Sequence, residues 1–456
     1  MEKNHTLIGA ALVTVARYIP HDLANNLDQN HTFSVLGNIS FRTCLAALWC
    51  VYLAQIVYCI FFHPLRKVPG PLLARFSQSW RNIRYFRGSW HHYVVQLHRT
   101  YGSVVRIAPN EVSFVDSSAL KALYGLGKQV QKLALGGKIG FIEQGRDVDG
   151  IIRSIHDGFY LMANMGNIPG QMFWINNALA QWLIKRFGGK RLNSFSIFLD
   201  WLDRRVSERM KNGLGDRRKD MLQHFIEAKD MDGKPVWKGD VMIEGVNILG
   251  AGADTTSIVI LAVLSALLLH RPERQKLQQE IDQAYTSLGL QDPGQEISFK
   301  DAERLPYLSA VIKESMRLHP SISYQLPRVV PSSGVQIGPY YMRPGTICSI
   351  SATSMNRSKE IFGDDADEWK PERWIASNEE EKERISTMNS LLTTFGMGSR
   401  SCVGKNIALV EVHKFIAQFL RHFDADVVNP ERPWVTKSQW FSIQKDFWIT
   451  NKERGH

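Results

Sequence analysis

The sequence predicts a mainly α fold with a small β part. Three observations carry this. Residues 240–270 form one long helical pattern, and its second half, 258–269, is apolar on every side except Ser265. A helix of that kind runs through the middle of a large core. A second helical pattern follows Gly404, with Ile407, Leu409, Val410, Phe415, Ile416 and Phe419 at helical spacing. Strand-like runs are short by comparison: residues 104–109, 111–115, and the stretch 328–350 with its Pro and Gly turns.

Along the chain, the first element is residues 44–62, nineteen positions without a charge and rich in Leu, Ala, Val, Ile and aromatics. That length spans a bilayer core, so it predicts a transmembrane anchor rather than a buried helix. Residues 63–100 then carry Arg66, Lys67, Arg75, Arg81, Arg84, Arg87 and Arg99 and no acid, which places the C-terminal side in the cytoplasm. The first 43 residues hold sequons at Asn4, Asn30 and Asn38, suited to a glycosylated lumenal tail. A fourth, at Asn356, falls on the cytoplasmic side. Basic residues, not a small-residue cleavage site, follow the apolar run, which argues against a signal peptide. Residues 63–71, with Pro64, Pro69 and Pro71, read as a stiff hinge into a single domain over 72–456.

Residues 81–100 read as one helix and the two strands at 104–115 follow it. The stretch 159–188 is rich in Phe, Trp, Met, Leu and Ile, as a lid or as plain core. Pro272 opens a helix to about Tyr285, 287–295 is a loop, Pro306–Leu318 is a helix, and the acids of 379–383 form a solvated surface.

The 456 residues carry a net charge of +11 without a long Lys/Arg run or nucleic-acid motif. Anionic lipid or an acidic protein partner is the better use of that charge, and nucleic acid is not expected. Five cysteines, at 44, 50, 59, 348 and 402, fit neither a disulfide framework nor a zinc spacing.

One cysteine stands apart. Phe395-Gly396-Met397-Gly398-Ser399-Arg400-Ser401-Cys402-Val403-Gly404 sets it in a glycine-rich loop before a helix. Helix N-termini favour a thiolate, and glycines let backbone approach the sulfur. One thiolate without a second Cys or His nearby is a poor zinc site and suits a haem iron. In the long helix, Ala251-Gly252-Ala253-Asp254-Thr255-Thr256 puts glycine and polar groups where a buried helix tolerates them only for a reason. A hydrogen-bonded kink and a gap holding a small ligand are both open readings of it. Glu314 and Arg317 share a helix face at i, i+3, a spacing common on ordinary surfaces.

Together these motifs resemble the cytochrome P450 family, whose cysteine loop reads Phe-x-x-Gly-x-Arg-x-Cys-x-Gly. The resemblance implies a mostly helical haem-thiolate monooxygenase. Cys402 would be the axial ligand of haem b, with Phe395 and Gly398 shaping its loop, and Arg400 and Arg328 would bind propionates. Thr255 and Asp254 would serve dioxygen and its protons. Glu314, Arg317 and Arg373 would form the family's buried Glu-Arg-Arg network. An NADPH-cytochrome P450 reductase, with cytochrome b5 as a further donor, would supply electrons. The substrate would be an apolar small molecule meeting residues 250–256, 321–326 and 440–443. The hinge resembles that of endoplasmic-reticulum members, and fungal types near pisatin demethylase and benzoate hydroxylase are the nearest in kind. The family's Trp-x-x-x-Arg helix has no counterpart. The chain passes quickly through 133–140, where an internal helical segment is expected and absent. That gap sets up an alternative, a non-catalytic or haem-deficient member of the family.

Overall fold

The computed structural model describes residues 49–50, 53–54, 56–115, 147–165, 177–179, 182, 186, 189–214, 220–290, 292, 295–438 and 440–454. The sequons at Asn4, Asn30 and Asn38, part of the proposed anchor (44–48, 51, 52 and 55), and the gap region 124–145 lie outside these residues. The chain divides into Met1–His63 and Pro64–His456, a boundary inside the expected hinge. In the first unit the described part of the anchor is helical and ends in a π-helical turn, Tyr58–Phe62. Its large apolar side chains Trp49, Leu53, Val57, Phe61 and Phe62 are exposed.

The second unit is mainly helical. Helices of seven or more residues are α1 Ser79–Phe86, α2 Trp90–Tyr101, α3 Ile151–Met165, α4 Gly189–Asn212, α5 Met221–Glu227, α6 Lys238–Leu269, α7 Arg271–Ser287, α8 Pro306–Leu318, α9 Glu379–Leu391 and α10 Lys405–His422. The strands are β1 Val104–Ala108, β2 Glu111–Phe114, β3 Gln325–Val329, β4 Val335–Ile337, β5 Tyr340–Met342, β6 Ile347–Ser351, β7 Phe423–Val427, β8 Val435–Ser438, β9 Ser442–Lys445 and β10 Ile449–Glu453. One four-stranded sheet runs β1-β2-β6-β3, with β2 and β6 parallel and the other pairs antiparallel. Three two-stranded ribbons pair β4 with β5, β7 with β10, and β8 with β9.

The main core joins α6, α7, α8 and α10. Val259, Val263 and Leu267 of α6 meet Leu277 and Ile281 of α7, Val311 and Ile312 of α8, and Val412, Ile416 and Leu420 of α10. This explains why α6 is apolar all round. It is the one helix among the described residues long and apolar enough to cross a membrane, yet Val259, Val263, Leu264 and Leu267 of its second half are core. Ser265 is buried and donates to Ala262 O at 3.0 Å, which removes the cost of its hydroxyl. A second core lies on the sheet, with Val112, Phe114, Cys348 and Ile350 against Leu65, Val68 and Leu391. A third joins Ile151 of α3, Phe198, Trp201 and Leu202 of α4, Leu222 of α5 and Val241 of α6.

The hinge segment is not a free spacer. Pro64–Lys67 is a 3-10 turn, Leu65 and Val68 are each 2% exposed, and Arg106 N donates to Pro69 O at 2.7 Å. Gly70 lies so close to Arg106 O of β1 that no side chain fits there.

Three local expectations change. The single helix expected over 81–100 is two, α1 and α2, because Gly88 adopts φ +71°, a left-handed conformation that ends α1. The acids at 379–381 open α9, capped by Asn378 Oδ1, which accepts from Glu381 N at 2.8 Å. They sit where the helix dipole favours negative charge, so a solvated surface is also a helix start. On α10 the buried stripe is Val412, His413, Ile416, Ala417 and Leu420, while Phe415 is exposed and stacks on Phe419.

Candidate active site

The cysteine loop forms through two glycines in the left-handed region, Gly396 at φ +66° and Gly398 at φ +67°, around a 3-10 turn at Gly398–Arg400. Cys402 N donates to Phe395 O at 2.8 Å and closes the loop. The Phe395 ring packs on the main core and lies 5.7 Å from the Lys405 ammonium. Gly404 then caps α10. Cys402 is exposed, and its sulfur receives the backbone N–H groups of Gly404 and Lys405. Burial of the surroundings pushes the Cys402 thiol up, and the two N–H groups and the Lys405 charge pull it down. Desolvation thus outweighs the helix terminus, which alone would favour the thiolate. Cys348 shows the other extreme: it is fully buried in the sheet core and its thiol is pushed up to about 12.

Arg400 is exposed beside the cysteine, its guanidinium uncommitted among the described residues. Arg328 lies half-buried on β3, paired in register with Cys348 of β6, and its Nη1 donates to Pro327 O at 2.8 Å.

The polar stretch of α6 is an unbroken helix, neither kinked nor gapped. Its distinction is bareness. Ala251 and Gly252 are exposed in a core helix, and a Cβ built on Gly252 meets nothing within 4 Å. Thr255 Oγ1 donates to Ala251 O at 2.7 Å, which keeps the hydroxyl oxygen available as an acceptor. Asp254 Oδ1 meets His156 Nε2 of α3 at 3.0 Å. Its Oδ2 is buried without a partner among the described residues. Glu411 of α10 bonds the Thr256 hydroxyl, and burial raises the carboxyl above its ordinary range. This bond ties the bare stretch of α6 to the helix that follows Cys402.

The expected pocket segments converge. Ser321 Oγ donates to Thr255 O at 2.8 Å. Ile322 bridges Phe441, Ser442 N donates to Ser321 O at 2.9 Å, and the Tyr324 and Trp440 rings lie 4.9 Å apart. Phe441 meets Phe159 edge-on at 4.9 Å, and a Cβ on Gly250 would come within 2.8 Å of the Phe159 ring. Helices α3 and α6 and the β8–β9 connection therefore build one aromatic wall beside Thr255.

Glu314, Arg317 and Arg373 come together with the Glu314 and Arg317 side chains fully buried. Arg317 forks onto Glu314, Nε to Oε2 and Nη2 to Oε1, both at 2.8 Å. Its remaining donors reach Asn356 O, Ala366 O and Glu368 O. Arg373 Nε meets Glu314 Oε1 at 3.3 Å, and its Nη1 bonds Asp365 Oδ1 at 2.5 Å and Phe362 O. Trp374 Nε1 and Lys370 N complete the carboxylate at 2.8 and 3.0 Å. The Arg373 hydrogen bond, before any other cause, holds the Asp365 carboxyl down at about 2. Asn356 is fully buried, its Oδ1 accepting from Thr393 N at 3.0 Å and Thr393 Oγ1 at 2.8 Å, so this sequon is inaccessible in the folded chain.

The residues fit a haem. An accessible thiol held by two backbone N–H groups is a donor that a haem iron could take. A side-chain-free patch on α6 offers room for a flat ligand, and Arg400 offers a cation. Sequence reasoning did not single out His156, Glu411 or Asp365. No local spacing marks any of them, and tertiary contact shows what each does.

A family model described as cytochrome P450 matches residues 160–447. The chain is 30% identical to the cytochrome P450 monooxygenase mpaDE of Penicillium roqueforti, over 86% of this chain and 56% of that one. It thus spans little more than half of that relative. It is 26% identical to the cytochrome P450 monooxygenase cicH of Emericella nidulans, covering 90% and 99% of the two chains, and 28% identical to a pisatin demethylase of Fusarium vanettenii, covering 85% and 89%. These alignments run over 487, 504 and 488 positions, more than the 456 residues present, so the relatives hold residues that this chain has no counterpart for. The crystal structure of a cytochrome P450 superposes with a TM-score of 0.54 at 20% identity, covering 67% of this chain and 65% of that one. The chain belongs to the cytochrome P450 family.

Proposed function

We propose that the chain is a haem-thiolate monooxygenase that inserts one oxygen atom of dioxygen into an apolar small molecule of secondary metabolism. The observation that carries this is the Cys402 loop. Its sulfur is accessible, sits at the start of α10, and accepts two backbone N–H groups. Bound haem would supply the oxygen-activating iron chemistry, with the thiolate favouring O–O cleavage. Cys402 would hold haem b through the sulfur, Arg400 and Arg328 would meet its propionates, and Phe395 and Gly398 would fix the loop. The buried Glu314–Arg317–Arg373 network would hold α8 and the segment 356–374, both upstream of that loop, in place.

Thr255 would present its hydroxyl to dioxygen, and Asp254 would hold the proton delivered there. The aromatic wall of Phe159, Tyr324, Trp440 and Phe441 suits an apolar substrate and excludes water from the reacting face. By family likeness, electrons would come from an NADPH-cytochrome P450 reductase, with cytochrome b5 as a further donor. The exposed apolar side chains of 49–62 and the basic residues that follow support a single-pass anchor in the endoplasmic reticulum membrane with the main unit in the cytoplasm.

The test is the carbon monoxide difference spectrum of the reduced protein. A thiolate-type Soret band that disappears in Cys402→Ala is expected. A folded protein without that band would overturn the proposal and leave a haem-deficient member of the family.

A further inference from the structure

Asp254 has a partner that no local motif announces. His156, on α3, lies 98 positions away in the chain, and its Nε2 meets Asp254 Oδ1 at 3.0 Å. The two side chains differ in access: His156 is 44% exposed, Asp254 only 17%. The second carboxylate oxygen, Oδ2, is buried and makes no hydrogen bond among the described residues. A buried carboxylate oxygen without a donor is costly, and the structure keeps it on the helix that carries Thr255, the next residue. The histidine therefore stands between solvent and an acid that cannot reach solvent as easily itself.

We infer that His156 is a positioning residue that holds the Asp254 carboxylate by Nε2 and resupplies it with protons from solvent. The inference rests on the reading of Asp254 as the proton-holding acid. The step balances simply. The imidazolium gives its Nε2 proton to Asp254 Oδ1, and the neutral ring, which keeps its Nδ1 proton, is recharged at Nε2 by hydronium from solvent. One proton moves inward and no electron moves. The charges facing His156 suit the role. Asp254 approaches from α6, Asp147 from the turn before α3, and Asp157 lies on α3 itself. Arg153 on α3 is turned to Asp157 at 4.0 Å. On the other helices packed against α3, Arg81 of α1 pairs with Glu111 and Arg84 lies over Trp80 and Tyr93, while on α4 Arg209 pairs with Asp220, Asp203 with Lys238 and Arg205 with Glu208. The Asp254 hydrogen bond first, then the surrounding carboxylates, raise the His156 pKa above its ordinary 6.5 against the opposing effect of burial. The imidazolium, the proton-loaded form, thereby persists to higher pH than in an ordinary histidine.

The experiment uses the full haem-loaded chain with histidine labelled for NMR, in the reduced carbon monoxide form. The His156 ring is titrated in the native chain and in Asp254→Asn. A midpoint above 6.5 that falls in Asp254→Asn is expected; a midpoint at or below 6.5, or one that Asp254→Asn leaves unmoved, overturns the inference. Alongside, hydrogen peroxide release during substrate-free reduction in air is followed against pH for the native chain, His156→Gln and Asp254→Asn. Gln keeps a hydrogen-bond donor near Asp254 but cannot carry the proton. The native profile is expected to inflect at the NMR midpoint, and His156→Gln to lose the inflection with about hundredfold slower release below it, the low end of general-acid effects. If Asp254→Asn slows release and His156→Gln keeps the native profile, the role of His156 is overturned while the acid reading stands. If Asp254→Asn itself keeps the native profile, the acid reading fails and takes this inference with it.

Discussion

Replacing Glu314 by Gln tests the core of the Glu-Arg-Arg network without changing its volume. The carboxylate accepts five hydrogen bonds: Oε1 takes Arg317 Nη2, Arg373 Nε and Lys370 N, and Oε2 takes Arg317 Nε and Trp374 Nε1. A Gln amide must put its NH2 at one of these two positions. Placed at Oε2 it turns two donors against a donor; placed at Oε1, three. Two buried donors left unpaired cost about 1–3 kcal/mol each. Two guanidiniums also lose their shared counter-charge, and breaking a buried pair costs about 3–5 kcal/mol. These losses overlap, so a net loss of about 3–6 kcal/mol is expected, a large share of a typical stability of about 5–15 kcal/mol. Urea unfolding followed by tryptophan emission measures it, with exposed Glu368→Gln as the unchanged control. Haem content after purification should fall in parallel. A loss below about 1 kcal/mol would refute the reasoning, because it would mean that the charge and the five bonds contribute no more than a surface pair does.

Three further outcomes follow from the geometry. Asp365, held at about 2 against an ordinary 3.8, contributes stability that is fully present above 3.8 and is lost as pH falls through about 2; Asp365→Asn should flatten acid unfolding in that window, as circular dichroism against pH would show. Gly252→Ala meets open space on α6, so it should stabilise the haem-free fold by about 1 kcal/mol through helix propensity while lowering haem incorporation, measured by urea unfolding and by absorbance respectively. Deleting residues 1–62 should release the protein from membranes; continued sedimentation with them would show that charge or another surface holds it there.

How far the fold and site can be read from sequence depends on chain separation. The bounds of α8, the strands β1 and β2, and the core nature of α6 follow from local pattern, because a helix face or a strand alternation is written within one segment. Glu314 and Arg317 share a spacing common on ordinary surfaces, and they and Arg373 stand out only through the family resemblance. Asp365 from a loop and Trp374 from the 3-10 turn Pro371–Trp374 complete the same network, and only the folded chain shows their bonds. His156 is the extreme case: nothing around it on α3 differs from an ordinary exposed histidine, and its meaning comes entirely from Asp254. The break at Gly88 was hidden for the opposite reason. The apolar spacing continues across it, and one left-handed glycine overrides a periodicity that both flanks share.

The way residues 64–71 lie on β1 sets where the chain can be cut. Anyone removing the anchor to obtain a soluble protein would be drawn to the end of the proline run, since proline-rich stretches resemble linkers. A chain starting at Leu72 would strip Leu65 and Val68 from the sheet core and leave Arg106 N without Pro69 O. Two buried aliphatic side chains are worth about 1.5–3 kcal/mol each. A start at His63 keeps all of it, so nine residues separate a well-behaved protein from one that aggregates through an uncovered sheet.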